Sequence, residues 1–344
     1  MNTPKLPLWK LFFLLFLIGA IVWIIREKSA TVPFQKSSGK VFGTVYHITY
    51  QYPIDLTDSI YAVLMSVDNS LSPFNPRSTI TAINENRSMN TDTLFREVFR
   101  MAQSISKKTD GNFDITVAPL VNAWGFGFRN RQNINRSYID SLRQFIGYGK
   151  ISLCGDKVLK QDERILLDCS AIAKGYGCDR VADFLSRKGI TNYMIEIGGE
   201  IVVKGINPDK QKWKIGVNKP TEDSLDNHEL QTILHISETA LATSGNYRNF
   251  YYKNGRKYAH TINPHTGYPT EHALLSATVF APTCAMADAY ATAFMVAGLE
   301  QTKKILRTEQ QLKAYLIYTD NNGLLRTWFS PALRKDIQNL SASD

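Results

Sequence analysis

The sequence predicts an α+β fold, with mostly antiparallel sheets flanked by helices in one compact body, preceded by an N-terminal hydrophobic segment. Helical periodicity occurs in a few separate segments of the chain. The apolar and β-branched runs between them are short and bounded by turn residues, which is typical of antiparallel strands. With 344 residues, 44% of them hydrophobic and 21% charged, the chain is long and apolar enough to bury a sizeable core.

Residues 1–28 are predicted to be a targeting segment. Lys5 and Lys10 precede an apolar run over residues 11–25, and charged residues follow it. The pattern predicts a signal-anchor or a cleavable signal peptide, with the anchor favoured. The absence of a nearby cysteine excludes a lipoprotein anchor, and the body is expected on the periplasmic or extracytoplasmic side of the inner membrane. Residues 29–40 are predicted to be a linker, and residues 41–340 the domain that carries the function.

The elements of the body are predicted from periodicity and turn residues. Gly198 and Gly199, inside an apolar stretch, indicate a bulge or a close approach of the backbone. The run Val158 to Leu167 predicts a hairpin that turns at residues 161–163. The other predicted strands are 41–52, 193–203, 213–217, 232–236 and 276–280, and the predicted helices are 57–67, 91–107 and 284–307.

Charge and cysteine content exclude two classes of site. The net charge is +9, but basic residues are dispersed among acids and form no stripe, so no nucleic-acid partner is expected. The cysteines lack the spacing of a metal finger, and free buried thiols are expected. Cys154 and Cys169 could still face each other across the predicted hairpin. The cysteines are Cys154, Cys169, Cys178 and Cys284.

The stretch LDCSAIAKG, residues 167–175, is a candidate phosphate or metal–phosphate site. An apolar run over 165–167 predicts a short buried strand that brings Asp168 to a turn of small residues. Lys174 then stands at the start of a predicted helix. Small residues let main-chain groups approach a ligand, and a helix start favours anions. An ordinary strand–helix connection would explain the same residues.

Asp288 and Thr292 are candidate ligands of a hard cation. They lie four residues apart on a predicted helix and therefore share one face. A carboxylate and a hydroxyl suit magnesium, and the alanine-rich surroundings indicate that both are buried and need partners. The alternative is a solvated helix face.

His260 begins the turn HTINPHTG, which Pro264 and Gly267 fix. The imidazole could bind phosphate or act as an acid or base, and it could equally be structural. Several aromatic residues in loop-like contexts could stack on a planar ring or fill the core. They are Phe74, Phe113, Trp124 and Phe126.

Together these pieces resemble the ApbE family, flavin transferases that attach FMN from FAD to target proteins. The resemblance runs from about Phe42 to Leu299, and it rests on the order of the pieces rather than on any one of them. The matching pieces are FGTVY at 42–46, SPF at 72–74, GNFD at 111–114 with WGFG at 124–127, Asp168 to Lys174, IGGE at 197–200, TSG at 243–245, HTINPHTG at 260–267, and Ala287-Asp288 to Thr292.

The resemblance implies roles by position. Ala171, through its main-chain carbonyl, falls with Asp288 and Thr292 at the family's magnesium site. Lys174 and His260 are the implied catalytic residues. The positions at which the family contacts FAD are Phe42, Phe74, Asn112, Phe113, Asp114, Asp168, Lys174 and His260.

Three positions depart from the family pattern. Ala285 stands where some members carry a further acid, which puts a second metal or tighter metal binding in doubt. Asn263 stands where aspartate is common, and Phe42 replaces a usual methionine.

The resemblance implies a magnesium-dependent transfer of FMN from FAD to a Thr or Ser hydroxyl of an acceptor protein, with release of AMP. It also implies that the acceptor is a subunit of a membrane redox complex. The general base is left open between His260 and a carboxylate. Two alternatives remain: hydrolysis of FAD to FMN and AMP, and a carrier that binds FAD without catalysis.

Overall fold

The computed structural model describes residues 8–29, 32–129, 132, 134–220, 230–246, 250–253 and 256–339. It confirms the predicted α+β fold, in which helices flank a large antiparallel sheet. The helices are α1 Leu8–Ser29, α2 Thr57–Leu71, α3 Thr79–Asn84, α4 Thr93–Lys108, α5 Ala118–Trp124, α6 Arg136–Arg143, α7 Ser170–Arg187 and α8 Cys284–Thr308.

Within the described residues, the largest sheet has eight strands in the order β1-β2-β5-β6-β9-β12-β13-β14, and a smaller sheet has the order β15-β8-β7. Every pairing in both sheets is antiparallel. The strands are β1 Phe34–Val41, β2 Thr44–Gln51, β3 Ile151–Cys154, β4 Lys157–Lys160, β5 Tyr193–Ile197, β6 Glu200–Lys204, β7 Trp213–Asn218, β8 Leu230–Ile236, β9 Thr239–Gly245, β10 Phe250–Lys253, β11 Arg256–Ala259, β12 Leu274–Ala281, β13 Lys313–Thr319, β14 Leu325–Phe329 and β15 Ile337–Asn339.

Alternating residues of the central strands place a different layer on each face of the large sheet. Val279 and Leu316 belong to the hydrophobic cluster that α8 covers. Their neighbours Phe280 and Ile317 belong to a second cluster with the small sheet. Since successive side chains of a strand point to opposite faces, the molecule is layered as helices, large sheet and small sheet.

The predicted linker is wrong from residue 34 onward. Residues 34–41 form β1, which pairs along its whole length with β2. The polar run Ser37 to Lys40 resembles a linker because β1 is an edge strand, where polar side chains are tolerated. The strand predicted over 41–52 is also interrupted, because the hairpin turns at Phe42 and Gly43, whose φ angles are +52° and +72°.

The hairpin predicted around residues 161–163 lies earlier in the chain. Strands β3 and β4 turn at Gly155, which has a φ of +61°. The apolar run 165–167 is buried as expected but is not a strand. The side chain of Asn84 makes the hydrogen bonds that a neighbouring strand would otherwise make with Leu167. Its Oδ1 accepts from the Leu167 N–H at 2.7 Å, and its Nδ2 donates to the Leu167 carbonyl at 2.8 Å. A buried amide therefore holds the segment that leads to the candidate site.

The four cysteines are free, as predicted, and three of them are buried, but the expected burial is wrong for Cys154. Cys154 is exposed at the end of β3, whereas Cys169 is buried beside α7, so the two do not face each other across a hairpin.

Gly198 and Gly199 form the tight turn between β5 and β6 rather than a bulge, with φ angles of +63° and +104°. The predicted close approach is present, because a Cβ on Gly198 would lie 2.8 Å from the side chain of Thr44. This turn delivers Glu200 to the first position of β6.

The hydrophobic N-terminal segment is helical over α1. Among the described residues, no helix combines the length and apolar character needed to cross a membrane.

Candidate active site

One cleft of about 1290 Å³ is lined by every residue that the sequence analysis assigned to the site. Helices α7 and α8 form one side of it, the hairpin turns after β1 and β5 form another, and loops around Phe74 and His260 complete it. The structure thus brings the predicted residues together, while their individual roles remain predictions.

Helices α7 and α8 make backbone contact beneath the cleft. A Cβ on Gly175 would lie 2.3 Å from the carbonyl oxygen of Cys284, so only glycine permits this approach. The Gly175 N–H donates to Asp288 Oδ2 at 3.1 Å, which ties the two helices together at the same point. We call this contact the helix seam, defined by Lys174, Gly175, Cys284 and Asp288.

Lys174 does not stand at the helix start, because α7 begins at Ser170. Its side chain runs back toward the first turn, as helical side chains do, and the ammonium donates to the Ser170 carbonyl at 3.3 Å. The predicted helix start is therefore one turn too late. The ammonium nevertheless reaches the cleft.

Two buried carboxylates hold the Lys174 ammonium. Its Nζ lies 3.3 Å from Glu200 Oε1 and 3.5 Å from Asp288 Oδ2. Burial raises the pKa of Glu200 to about 8, and the Lys174 charge only partly opposes this. Burial lowers the pKa of Lys174, but Asp288 and Glu200 outweigh it, so the net shift is upward. The lysine is therefore held charged at neutral pH.

Glu200 is a site residue that the sequence analysis did not single out. Its side chain is 5% exposed, and its Oε2 has no hydrogen-bond partner among the described residues. A buried polar atom without a partner is costly and marks a site for a ligand. In the sequence, Glu200 is an acid directly after two glycines in an apolar stretch. No local pattern indicates that it contacts Lys174.

Asp288 and Thr292 share one face of α8, as predicted. The Asp288 side chain is 3% exposed among alanines that are fully buried. The Thr292 hydroxyl lies 3.3 Å from the Ser244 hydroxyl of β9. Both residues line the cleft together with Ala171 of α7.

The donor set fits magnesium, which takes oxygen ligands and retains several waters. In a regular α-helix the Gly175 N–H would donate to the Ala171 carbonyl. Here the Gly175 N–H donates to Asp288, so the Ala171 carbonyl at most shares this N–H with Asp288. Together with the Asp288 carboxylate and the Thr292 hydroxyl, this gives three oxygens of three kinds in residues that line the same cleft. No group of three His, Cys, Asp or Glu side chains suited to a metal occurs in the described part of the chain.

Asp168 stands at the N-terminus of α7. Its Oδ1 accepts from the Ser170 N–H at 2.8 Å, and its own N–H donates to the Ile115 carbonyl at 2.7 Å. Burial raises the pKa of Asp168, and the bond from Ser170 opposes the shift. The carboxyl group therefore lines the cleft with a fixed orientation.

Asp114 is engaged by its own loop. Its Oδ1 accepts from the N–H and hydroxyl of Thr116 at 2.8 and 2.7 Å, and its Oδ2 accepts from the Tyr148 N–H at 2.8 Å. The preceding Phe113 is 2% exposed and packs in the core. These contacts make Phe113 and Asp114 structural supports of the loop. The adjacent Asn112 is partly buried and lies at the cleft surface.

Phe42 occupies the left-handed turn of the first hairpin, where a bulky residue is unfavourable. Sheet pairing on both sides holds it there. Its ring packs on Gly177 of α7, at which a Cβ would lie 2.7 Å from the ring. A strained, fixed aromatic at the cleft edge is typical of a ligand contact.

Aromatic side chains form another part of the cleft: Phe74, Phe126 and His260 line it, and Phe74 is the most exposed of them. Phe74 is 66% exposed and meets Phe128 edge-on at 6.2 Å between ring centroids. The ring of His260 lies 6.4 Å from that of Phe126. We call this group, Phe74, Phe126, Phe128 and His260, the aromatic wall.

Asn263 forms the turn after His260 without the aspartate common in the resembling family. Its Oδ1 accepts from the N–H groups of His265 and Thr266 at 2.8 and 3.1 Å. An amide oxygen is a sufficient acceptor for this purpose, so the departure leaves the turn intact.

Comparisons with known proteins identify the family to which this chain is similar. The sequence model of the ApbE family matches residues 42–316. The FAD:protein FMN transferase of Haemophilus influenzae is 34% identical over 315 residues, which cover 87% of this chain and 90% of that protein. The enzyme of the same name from Escherichia coli K12 is 32% identical over 310 residues, covering 86% and 87%.

Solved structures show the same fold. The flavin transferase ApbE from Vibrio cholerae aligns with a TM-score of 0.80 and 33% identity, over 88% of this chain and 99% of that one. The flavinyl transferase ApbE from Pseudomonas stutzeri, in its apo form, aligns with a TM-score of 0.78 and 28% identity, over 88% and 96%.

Proposed function

This chain belongs to the ApbE family, and we propose on that premise that it transfers FMN from FAD to a Thr or Ser hydroxyl of an acceptor protein. The observation that carries the proposal is the Lys174 ammonium, held between Glu200 and Asp288 at the floor of the cleft. A fixed cation in a partly buried site is suited to the phosphate groups of a dinucleotide. Aromatic rings in the same cleft, with Phe74 largely exposed, suit a planar ring system.

Magnesium is the proposed metal, and its ligands from this chain are the Ala171 carbonyl, Asp288 and Thr292. Once bound, the ion would neutralise charge on the pyrophosphate that is cleaved. The need for it follows from charge. The Lys174 ammonium lies between two acidic side chains, Glu200 and Asp288, which leave no net positive charge for a pyrophosphate.

The chain's own residues orient and stabilise the reacting groups. Lys174 is already ordered by its two carboxylates, so its contact with phosphate oxygens requires little further loss of side-chain freedom. The acceptor oxygen forms a bond to the FMN phosphorus, the bond from that phosphorus to the bridging oxygen breaks, and AMP leaves with the electron pair. The hydroxyl proton passes to a base, for which His260 and a cleft carboxylate are the candidates.

The FAD contacts remain proposals residue by residue. Phe74 is exposed and free to stack on a ring, and Phe42 presents a fixed ring at the cleft edge. Asn112, Asp168 and His260 offer polar groups in the same cleft. Phe113 and Asp114 are proposed to act by shaping the loop, since one is buried and the other is fully bonded.

The test is covalent labelling by the purified protein. It is incubated with FAD, magnesium and a display library of peptides that each carry one central Thr or Ser. We expect flavin fluorescence that survives denaturation of the labelled peptides, together with equimolar AMP. AMP without labelled peptide would replace transfer by FAD hydrolysis, and bound FAD without AMP would indicate a carrier.

We also propose that the N-terminal hydrophobic segment anchors the protein and places the body outside the cytoplasm, where a membrane redox subunit would be the acceptor. The support is the charged and apolar pattern of residues 1–28. An alkaline phosphatase fusion after residue 31, before β1 begins, should be active in intact cells. An expressed but inactive fusion would contradict export.

A further inference from the structure

The outer strand of the small sheet, β7, has a free edge. Within the described residues, β7 pairs only with β8 and is the last strand of its sheet. Its burial alternates, with Trp213, Ile215 and Val217 packed inward, while Lys214 and Gly216 are exposed.

The hydrogen bonds of β8 show which backbone groups of β7 are unpaired. The backbone N–H of His235 donates to the Asp336 carbonyl, next to β15, at 2.9 Å. The backbone polar groups of His235 are therefore directed away from β7. Opposed residues of an antiparallel pair exchange both hydrogen bonds or neither. Lys214, which faces His235, therefore directs its N–H and carbonyl to the free edge, and Gly216 does the same two residues later.

This free edge lies in the wall of the cleft. The Trp213 indole donates to the carbonyl of Lys204, at the far end of β6, at 3.0 Å. Side chains of both strands, among them Ile201 of β6 and Val217 of β7, belong to one hydrophobic cluster. Residues 214–218 accordingly line the same cleft as Lys174 and Asp288.

We propose that the β7 edge binds the acceptor protein by strand addition: an extended segment carrying the Thr or Ser pairs with the backbone of Lys214 and Gly216. This rests on the proposed function. Free N–H and carbonyl groups in a strand match an extended peptide backbone and no other common ligand shape. Gly216 has no side chain to obstruct the approach. A segment held there lies beside the cleft that Lys174 and Asp288 line.

The first test removes only the backbone N–H of Lys214 at the free edge of β7. Lys214→Pro deletes an N–H that β8 does not use, and a strand edge tolerates proline. Lys214→Ala is the matched control, because it removes the side chain and keeps the N–H. For a peptide labelled by the wild type, we expect Lys214→Pro to raise KM about tenfold, and Lys214→Ala to raise it less than about threefold. FAD affinity, measured by flavin fluorescence, should be unchanged in both.

The second test leaves the enzyme intact and modifies the peptide. Methylation of single backbone nitrogens along the labelled peptide should weaken labelling at every second residue only, because alternate N–H groups of a strand face the same side. Equal effects at all positions, no effect at any, or a loss of FAD affinity in Lys214→Pro would overturn strand addition. A wild type that labels no peptide would instead reject the transferase function itself.

Discussion

The helix seam and the aromatic wall both contribute residues to the same cleft but are built in opposite ways. At the seam, the Asp288 side chain is 3% exposed, and backbone atoms of two long helices touch through Gly175. At the aromatic wall, Phe74 is 66% exposed and lies in a loop. Charged side chains that must be positioned within a fraction of an ångström lie on packed helices. A ligand ring that needs only a flat contact surface is contacted by side chains from loops.

This contrast predicts that changes at the seam reduce the reaction strongly and that changes at the wall mainly weaken FAD binding. The largest effect is expected at Asp288. Asp288→Asn keeps an acceptor for the Gly175 N–H and removes the charge that pairs with Lys174 and is proposed to bind magnesium. AMP release should fall roughly 100-fold or more. Wild-type rates in this variant at ordinary magnesium concentrations would contradict the metal assignment.

Lys174 should follow. A charge-assisted contact with phosphate contributes on the order of 1.5–3 kcal/mol, so Lys174→Met should slow labelling by tens- to about a hundredfold. Lys174→Arg should recover only part of the rate, because Glu200 and Asp288 hold a compact ammonium. Circular dichroism checks that the fold is retained. Labelling by Lys174→Met at the wild-type rate would remove this residue from the mechanism.

Substitutions at two glycines of α7 distinguish the effect of helix packing from the effect of ligand contact. Gly175→Ala would normally favour a helix, but its Cβ meets backbone at 2.3 Å, so it should lower the free energy of unfolding by about 1–3 kcal/mol. In Gly177→Ala the Cβ meets side chains, the Phe42 ring at 2.7 Å and Ile197 at 3.4 Å, so this variant should weaken FAD binding with a smaller loss of stability. Thermal unfolding and FAD titration measure the two effects. Equal stability losses would show that the seam is no tighter than the Phe42 contact.

At the aromatic wall, Phe74→Ala should weaken FAD binding three- to about tenfold, since an aromatic pair contributes roughly 0.5–1.5 kcal/mol. The rate with saturating FAD and the thermal stability should stay near those of the wild type, because the ring is mostly exposed. A large fall in the saturated rate would place this ring near the reacting phosphorus instead.

The last prediction concerns the pH dependence of stability. Asp179 accepts from the N–H groups of Cys284 and Ala285, both at 2.8 Å, at the start of α8. Burial raises its pKa from 3.8 to about 7, and those two bonds only partly oppose the shift. The folded state therefore binds this proton more tightly than the unfolded state, and the stability it adds is lost as pH rises from about 4 to about 7.

The comparison variant is Asp179→Asn, which keeps an acceptor and does not titrate. Relative to it, the wild type should lose free energy of unfolding across that pH range in denaturant titrations. A constant difference between the two proteins would show that the pKa of Asp179 is not raised.

Sequence alone determined whatever depends on local geometry. Asp288 and Thr292 share a face because residues four apart on a helix always do, and the turn around Asn263 follows from its Pro and Gly residues. The polar strand β1 was misread, because its pairing with β2, rather than its own composition, makes it a strand.

Only the tertiary structure decided how distant segments meet. Lys174, Glu200 and Asp288 come from three elements far apart in the chain, and no periodicity records that they touch. The free edge of β7 likewise depends on which strands pair, since an unpaired edge is a property of the whole sheet. Local sequence fixes φ, ψ and side-chain direction, but long-range packing selects which of the resulting faces meet.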